Sequence, residues 1–463
     1  MNIDKMIEDF RRGKVDLDCK RMVLSQNKEG GERYEGKGYI RQAEDDVLVY
    51  KLYITKVENA TPHNYVATML NHQLGTLHGD EMHYNLTAET YDGTTVSATR
   101  IYPNVSWGAS AGAAEIAIGK LQSLTAKIEF PEVHHCLELY FFEEHEVPLH
   151  EMSEAEEHGQ KCWTLDTTKF EACGAKFTVK VRKGSGLTAF EATSASALHS
   201  SFHLRVQEAL QYMTGKSATY RARVTCSPGL QMLELVSPGQ ASLRPHFCPP
   251  IALAAWEYRT HGWKLFSAYL AYVLKNTQDT YWNPLAYHLH NARESSANSI
   301  DAWAIGVSVA LEAVASLVAL KADPDNEKKV AAFQQLMFDY IATLLGYEGV
   351  AQRMEGLIKG LSASRPQDAL HALAHDGFIT KKYVAAWGQL RNRHVHPKIK
   401  DLNKPDQKQQ QKMIDRIHCV HVLLAQLTFH LIGYDGPYTD YGAKGFPQET
   451  YPLPAPAHGS SPE

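Results

Sequence analysis

The feature that most constrains the fold of this chain is a change in residue pattern near position 245. Upstream, short runs rich in β-branched and aromatic residues are separated by turn residues, which is typical of strands. Downstream, apolar residues recur at helical spacing over most of the chain. Pro245, Pro249 and Pro250 lie at the change and indicate a domain boundary. The sequence therefore predicts an α+β fold, in which a β-rich domain over 1–245 precedes an all-α domain.

The all-α domain is predicted over residues 250–435, with an arm after it. Its periodicity predicts helices at about 252–275, 283–293, 299–321, 326–345, 350–361, 366–374, 379–394 and 405–432. The segment 436–463 is rich in proline, glycine and tyrosine, which predicts an ordered arm followed by a frayed tail.

Within the β-rich domain, strands are predicted at 47–54, 136–142, 176–181 and across 220–235. Two alternating segments between 85 and 101 flank Asp92 and Gly93, which is a strong hairpin signal. One helix interrupts the strands, because apolar residues recur at near-helical spacing over 197–213 and Gly215 follows as a stop.

Charge is distributed unevenly along the chain. The 463 residues carry a net charge of −5, and 44 % hydrophobic with 21 % charged residues is an ordinary globular balance. Residues 353–416 hold 13 Lys/Arg against 6 Asp/Glu, a balance of +7 that leaves −12 for the rest. A basic segment in an acidic protein favours a polyanionic substrate, and a solvated helix face is the alternative.

The cysteines argue against a disulfide framework. They are odd in number and widely spaced, with no CxxC pair, at Cys19, Cys136, Cys162, Cys173, Cys226, Cys248 and Cys419. This pattern favours a reducing cytoplasm. The first twelve residues lack the apolar core of a signal peptide, which agrees with that compartment.

The stretch from Ala302 to Leu320 is apolar except for Ser308, Glu312 and Ser316. Its length could cross a bilayer, but a central carboxylate would cost a few kcal/mol there. The three polar residues are four apart and therefore share one helix face. We expect a helix buried in a bundle, with its polar stripe facing a site or a partner.

A chemically suggestive motif runs from Arg391 to His396, after an apolar helical stretch and directly before Pro397. An arginine keeps its charge and can fork onto phosphate oxygens, and a histidine can move a proton near neutral pH. Cleavage of RNA without a metal needs both, since the 2′-OH must lose a proton and the departing 5′-oxygen must gain one. Asn392 would orient the arginine or the phosphate, with Arg393 and His394 as substrate contacts.

The spacing within the motif requires the helix to end near its histidine. Residues five apart lie about 140° apart on a helix, so Arg391 and His396 would not share a face. Pro397 disfavours a helical conformation at the residue before it. We therefore expect His396 at the helix end, where its ring can turn back towards Arg391.

Residues 299–435 resemble a HEPN domain, a helical domain whose nuclease members carry Arg, a polar residue, a short spacer and His. Arg391, Asn392 and His396 match that pattern, and the segment from Ser308 to Glu312 resembles the helix that places a carboxylate near the site. The resemblance implies catalytic roles for Arg391 and His396 with support from Glu312. It also implies a homodimer or higher oligomer, in which each chain contributes half of a composite site.

The whole arrangement is similar to ApeA-type HEPN proteins, which are bacterial abortive-infection proteins that act against phage. The helix around 202–210 and the ending Ile432-Gly433-Tyr434 carry this likeness. It implies a metal-independent endoribonuclease without a cofactor, regulated by its N-terminal domain and by a phage-derived trigger. RNA is the implied substrate, with transfer RNA as one candidate.

Other interpretations remain open. Basic residues are common in the last turn of a helix, so the motif could be an ordinary helix terminus. The HEPN fold could serve only for binding or dimerisation, beside a ligand-binding β domain. Glu312 could hold Arg391, tune His396, or be a buried carboxylate satisfied by another donor.

Metal binding and base stacking have weaker signals. His371 and His375 are four apart, His288 and His290 two apart, and His418, Cys419 and His421 cluster, but none completes a four-ligand set, so we predict no metal. Tyr50, Tyr53, Trp107 and Tyr140 could stack on bases, although aromatic residues in strands are more often core.

Overall fold

The computed structural model describes residues 2–61, 79–108, 113–130, 134–157, 160–182, 184, 186–239, 247–253, 259–276, 282–318, 324–344, 346–361, 365–395 and 407–454. The chain divides into two compact units. The first comprises 1–207 with 218–241, and the second comprises 208–217 with 242–463. A large antiparallel sheet occupies the first part and helices the second, so the predicted α+β class is confirmed. Pro245 lies outside the described residues.

In the first unit, the part of the chain that the structure describes forms a helix α1 (Ile3–Arg11) and fifteen strands in one sheet. The strands are β1 (Asp16–Gln26), β2 (Arg33–Gln42), β3 (Leu48–Glu58), β4 (Tyr84–Thr90), β5 (Thr95–Ile101), β6 (Asn104–Trp107), β7 (Ala114–Leu121), β8 (Ser123–Phe130), β9 (His135–Phe141), β10 (Glu151–Glu157), β11 (Gln160–Ala172), β12 (Ala175–Arg182), β13 (Leu187–Ser194), β14 (Ala222–Ser227) and β15 (Gly229–Val236). Their order across the sheet is β10-β11-β12-β13-β9-β14-β15-β8-β5-β4-β1-β2-β3-β7-β6. Helix α2 (Phe202–Thr214) follows β13 in the chain, and its residues from 208 to 214 belong to the second unit.

Alternation along the strands builds the core of this unit. In β3, Leu48, Tyr50 and Leu52 are buried, and the residues between them are partly accessible. The same alternation in β1, β4 and β5 places one face of each strand in a shared apolar cluster, onto which Ile7 and Phe10 of α1 also pack. Because successive side chains of a strand point to opposite faces, this period-two pattern gives each strand one buried and one accessible face.

Most predicted elements of the first unit are confirmed. Strands cover 47–54, 136–142 and 176–181 to within a residue or so at most ends, and β4 with β5 forms the hairpin around Gly93. The stretch 220–235 is a hairpin of two strands, β14 and β15. The predicted helix begins at Phe202, five residues later than expected, and Gly215 follows it with φ of +67°. Helix α1 was not predicted.

One expectation about the cysteines is wrong. Cys136 on β9 and Cys226 on β14 occupy paired positions, and a disulfide joins them with 4.8 Å between their Cα atoms. The two residues are 90 apart in sequence, so only the strand order brings them together. A disulfide is more typical of oxidising compartments, so the cysteines no longer argue for a reducing one. Among the described residues, the cysteines Cys19, Cys173, Cys248 and Cys419 are not in a disulfide.

The described residues of the second unit form eight further helices and a small hairpin. The helices are α3 (Arg259–Lys275), α4 (Pro284–Ser296), α5 (Ile300–Ala315), α6 (Pro324–Ile341), α7 (Glu348–Lys359), α8 (Pro366–His375), α9 (Lys381–Val395) and α10 (Gln407–Ile432). All eight predicted helices are therefore confirmed, and most ends agree within two or three residues. The hairpin consists of β16 (Gly436–Thr439) and β17 (Gln448–Tyr451).

Helix α5 is the centre of this unit. It packs against α4, α8, α9 and α10, and Trp303, Val307, Leu311 and Val314 are buried. The predicted buried helix is confirmed, and it is 16 residues long. Among the residues that the structure describes, no helix has the length and hydropathy needed to cross a bilayer.

The segment after residue 435 is anchored to α9. Tyr383 of α9 donates from its hydroxyl to both carboxylate oxygens of Asp440, at 2.6 and 2.7 Å. The backbone N–H of Gly442 donates to the same carboxylate at 3.0 Å. Burial raises the pKa of Tyr383, so its hydroxyl remains a donor at any usable pH. Residues 455–463, where a frayed tail was predicted, lie outside the described part of the chain.

A buried histidine should make the stability of this unit depend on pH. Burial lowers the pKa of His421 to about 4, and its Nε2 lies 3.0 Å from the carbonyl oxygen of Cys248. Between the ordinary pKa of about 6.5 and pH 4, the unfolded chain takes up a proton that the folded chain does not. The free energy of unfolding should therefore fall as the pH falls through this window, by about 3 kcal/mol in total.

Chemical denaturation at a series of pH values measures this slope. The His421→Gln variant should have a flatter slope than the wild type between pH 6.5 and 4, whatever its absolute stability. His375→Gln is the matched control, because the His375 side chain is 89 % exposed. Equal slopes in His421→Gln and the wild type would contradict the prediction.

Candidate functional site

Helix α9 carries the Arg391 motif and forms because its apolar residues share one face. Tyr383, Val384, Trp387 and Leu390 are all buried, at spacings of one, four and seven from the first. The backbone carbonyl of Thr380 accepts from Tyr383 N–H at 2.9 Å at the start of the helix. Since Tyr383, Trp387 and Arg391 are successively four apart, the buried stripe leads to the arginine at its C-terminal end.

Helix α5 presents the polar stripe that the sequence predicts. Ser308 is buried, Glu312 is half-buried with a side chain 30 % exposed, and Ser316 just beyond the helix is exposed. The stripe therefore runs from the interior to the surface over two turns. The Ser316 hydroxyl donates to the backbone carbonyl of Glu312 at 3.0 Å, which closes the end of the helix.

Two contacts join α5 and α9 one turn apart. The indole Nε1 of Trp387 donates to the carbonyl oxygen of Ser308 at 3.4 Å, and Nε of Arg391 pairs with Oε1 of Glu312. Both pairs are 79 residues apart in sequence. A step of four residues along α5, from 308 to 312, therefore matches a step of four in the same direction along α9, from 387 to 391. The two helices run parallel here, because in antiparallel helices the residue numbers would rise on one helix and fall on the other. Arg391 and Glu312 are thus each one turn beyond a buried contact.

The Arg391–Glu312 pair leaves most of the guanidinium donors available. The Arg391 side chain is 35 % exposed, and Nε is the atom that meets the carboxylate. Within the described part of the chain, the two terminal nitrogens have no hydrogen-bond partner. A carboxylate on one edge fixes the plane of the guanidinium, and the terminal nitrogens can still bind a phosphate.

The structure brings together two of the six predicted site residues, Arg391 and Glu312. Asn392 is exposed and Arg393 half-buried, and neither side chain has a hydrogen bond or ion pair to a described residue. His394 lies within α9, but its side chain is outside the described part of the chain. His396 also lies outside the described residues, so its place at the end of the helix stays a prediction.

The histidine clusters do not form a metal centre among the described residues, where no three His, Cys, Asp or Glu side chains are grouped to hold an ion. His371 and His375 are both exposed on α8, and His375 lies 3.1 Å from Asp376. His418 packs edge-on against Trp303 at 5.7 Å between ring centroids. The contacts of His375 and His418 are thus with a neighbouring carboxylate and with an aromatic ring, respectively.

Sequence reasoning missed the role of Trp387, whereas the core role that it favoured for the aromatic residues of the sheet holds for most of them. Trp387 fixes the register of α9 against α5, and its place on the apolar stripe was the available signal. Of the four aromatic residues considered for stacking, Tyr50 is buried, and Trp107 and Tyr140 are half-buried. Tyr53 alone among the four is exposed, at 45 %.

Comparisons with protein-family models, with curated proteins and with solved structures find no match to this chain. The chemistry of the site and the resemblance in residue pattern are therefore what bear on function.

Proposed function

We propose that this protein is a metal-independent endoribonuclease of the HEPN type that acts in the cytoplasm in anti-phage defence. In this proposal, the C-terminal helices hold the catalytic residues, the β-rich unit regulates them, and a phage-derived trigger releases the activity. A second chain would complete the site in a homodimer or higher oligomer. Transfer RNA is the candidate substrate taken from the resemblance.

The observation that carries the proposal is the contact between Arg391 and Glu312. Two charged residues 79 apart in sequence meet where two helices reach the surface. The arginine belongs to the motif that the HEPN resemblance marks, and its terminal nitrogens have no partner among the described residues. Surface ion pairs contribute little to stability, about 0–1 kcal/mol. A paired but accessible arginine is therefore better explained by positioning for a ligand than by a need for stability.

The residues would divide the work according to their chemistry. Arg391 would bind the phosphate and stabilise the negative charge that grows on its oxygens. His396 would move the proton at the 2′-OH or at the 5′-oxygen, and Asn392 would orient the phosphate. Glu312 acts through Arg391 and is a positioning residue.

The direct test is to incubate the purified full chain with total RNA in the presence of EDTA. We expect cleavage to continue and the new ends to carry 2′,3′-cyclic phosphate, because the 2′-OH is the attacking group. A phage lysate added to the reaction supplies the trigger. If the chain cleaves no RNA with or without the lysate, or only when Mg²⁺ is restored, the proposal fails and a binding role is favoured.

A further inference from the structure

The outer face of β2, β3 and β7 has an ordered arrangement of cations and aromatic rings. The register of β2 and β3 places Tyr39 opposite Lys51 and Lys37 opposite Tyr53. Residues two apart on a strand share a face, so lysine and tyrosine alternate both along and across the two strands. On the neighbouring strand β7, an isoleucine lies opposite Lys51 and another opposite Tyr53.

This face is accessible, and its rings are in contact with cations. Tyr53 is 45 % exposed and Ile118 of β7 is 43 % exposed. Lys51 Nζ lies 5.0 Å from the centroid of the Tyr53 ring, and the Arg41 guanidinium carbon lies 4.1 Å from that of Tyr39. The opposite face of β3 is in the core, so these tyrosines are not core residues that happen to be partly accessible.

Charge is balanced at the edges of this face and in excess at its centre. Arg41 pairs with Asp16 at 2.6 Å, Lys120 with Asp45 at 3.7 Å and Arg21 with Glu35 at 2.8 Å. Within the described chain, Lys37 and Lys51 have no carboxylate within 4.0 Å. On this face, the two lysines without a carboxylate partner among the described residues are thus the two beside the tyrosines.

We propose that this face binds single-stranded RNA, with Tyr39 and Tyr53 stacking on bases and Lys37 and Lys51 contacting phosphates. Positions two apart on a β-strand are separated by about 6.7 Å and neighbouring β-strands by about 4.8 Å. Side chains at these distances can contact successive nucleotides of an extended RNA. Stacking on aromatic side chains beside a positive groove is how sequence-tolerant single-strand binding works. The choice of RNA rests on the proposed ribonuclease function, and the face would hold substrate in the β-rich unit.

Binding of a fluorescent single-stranded RNA of about 12 nucleotides tests the inference by anisotropy. The full chain carries His396→Ala so that the probe stays intact. Adding Tyr39→Ala and Tyr53→Ala should raise Kd by about thirtyfold or more, since each of the two stacked bases is worth roughly 1–3 kcal/mol. Adding Lys37→Gln and Lys51→Gln should lower the slope of log Kd against log salt by about 1.4.

Controls separate loss of the face from loss of the fold. Tyr39→Phe with Tyr53→Phe keeps both rings and should keep Kd within about twofold, while circular dichroism checks folding. Lys176→Gln with Lys180→Gln removes two exposed lysines from β12 of the same sheet, and Tyr91→Ala removes an exposed tyrosine. Neither should change Kd.

Three outcomes overturn the inference: no binding of the probe, an unchanged Kd in the folded tyrosine variant, or competition by polyglutamate as strong as that by unlabelled RNA. The last would identify an acidic polypeptide as the partner. RNA binding through this face without any cleavage by the wild type would refute the proposed function and leave the inference standing. RNA cleavage by the wild type, together with an unchanged Kd in the variants of this face, would refute the inference and leave the proposed function standing.

Discussion

Replacing Arg391 by alanine is expected to lower the rate of RNA cleavage about a hundred- to a thousandfold. The magnitude is that of removing one preorganised donor from a developing oxyanion. Arg391→Lys should recover only part of the loss, because an ammonium group cannot fork onto two phosphate oxygens while it contacts Glu312. Single-turnover cleavage of a defined RNA with excess protein measures the effect.

The matched control for Arg391 is Lys381→Ala, which removes an exposed cation from the other end of the same helix. Its cleavage rate should stay within about threefold of the wild type, since surface substitutions away from a site have small effects. Equal rates for Arg391→Ala and Lys381→Ala would show that Arg391 is an ordinary residue of a helix terminus.

Glu312 distinguishes positioning from proton transfer. Glu312→Gln keeps an acceptor near Arg391 and should reduce cleavage about tenfold, without a shift in the pH profile, because the residue acts through the arginine. A shift in the acidic limb of that profile would mean that Glu312 instead tunes the group that moves the proton.

Replacing Trp387 by alanine is expected to cost about 3–5 kcal/mol of unfolding free energy, the usual range for removing a buried tryptophan. Trp387 is 3 % exposed, and it joins α9 to α5 one turn before Arg391. The variant should therefore also lose cleavage at temperatures where it is still folded, since the register that pairs Arg391 with Glu312 is loosened.

Guanidinium denaturation followed by circular dichroism gives the change in stability. Gln389→Ala provides the comparison, because Gln389 is exposed on the same helix and its loss should cost less than about 0.5 kcal/mol. A loss below about 1 kcal/mol for Trp387→Ala would indicate that the helices are held together elsewhere.

The helices could be predicted from sequence because each one is amphipathic by itself. The spacing of Tyr383, Val384, Trp387 and Leu390 is enough to identify α9 and its buried face. Helix α1 has the same signal at Ile3, Met6, Ile7 and Phe10, so its amphipathic pattern is also sufficient to predict it.

The sheet order could not be predicted, because pairing between strands far apart in sequence leaves no local pattern. Strand β9 lies between β13 and β14, and this alone brings Cys136 to Cys226. The candidate site is an intermediate case. Arg391 and Glu312 were both named from sequence, but their contact depends on the packing register of α5 against α9, which periodicity does not specify.

The parallel arrangement of α5 and α9 has an electrostatic consequence for phosphate binding. Both helices direct their C-terminal ends towards Arg391, and each end carries about −0.5 of a charge. With the carboxylate of Glu312 added, the surroundings of the guanidinium are about −2, which more than offsets its single positive charge. A phosphate dianion or diester would meet a negative local field unless further cations were supplied. Arg393 and the five lysines between 398 and 412 follow Arg391 in the sequence and could supply such charges, so affinity for RNA should depend on that basic segment as strongly as on Arg391.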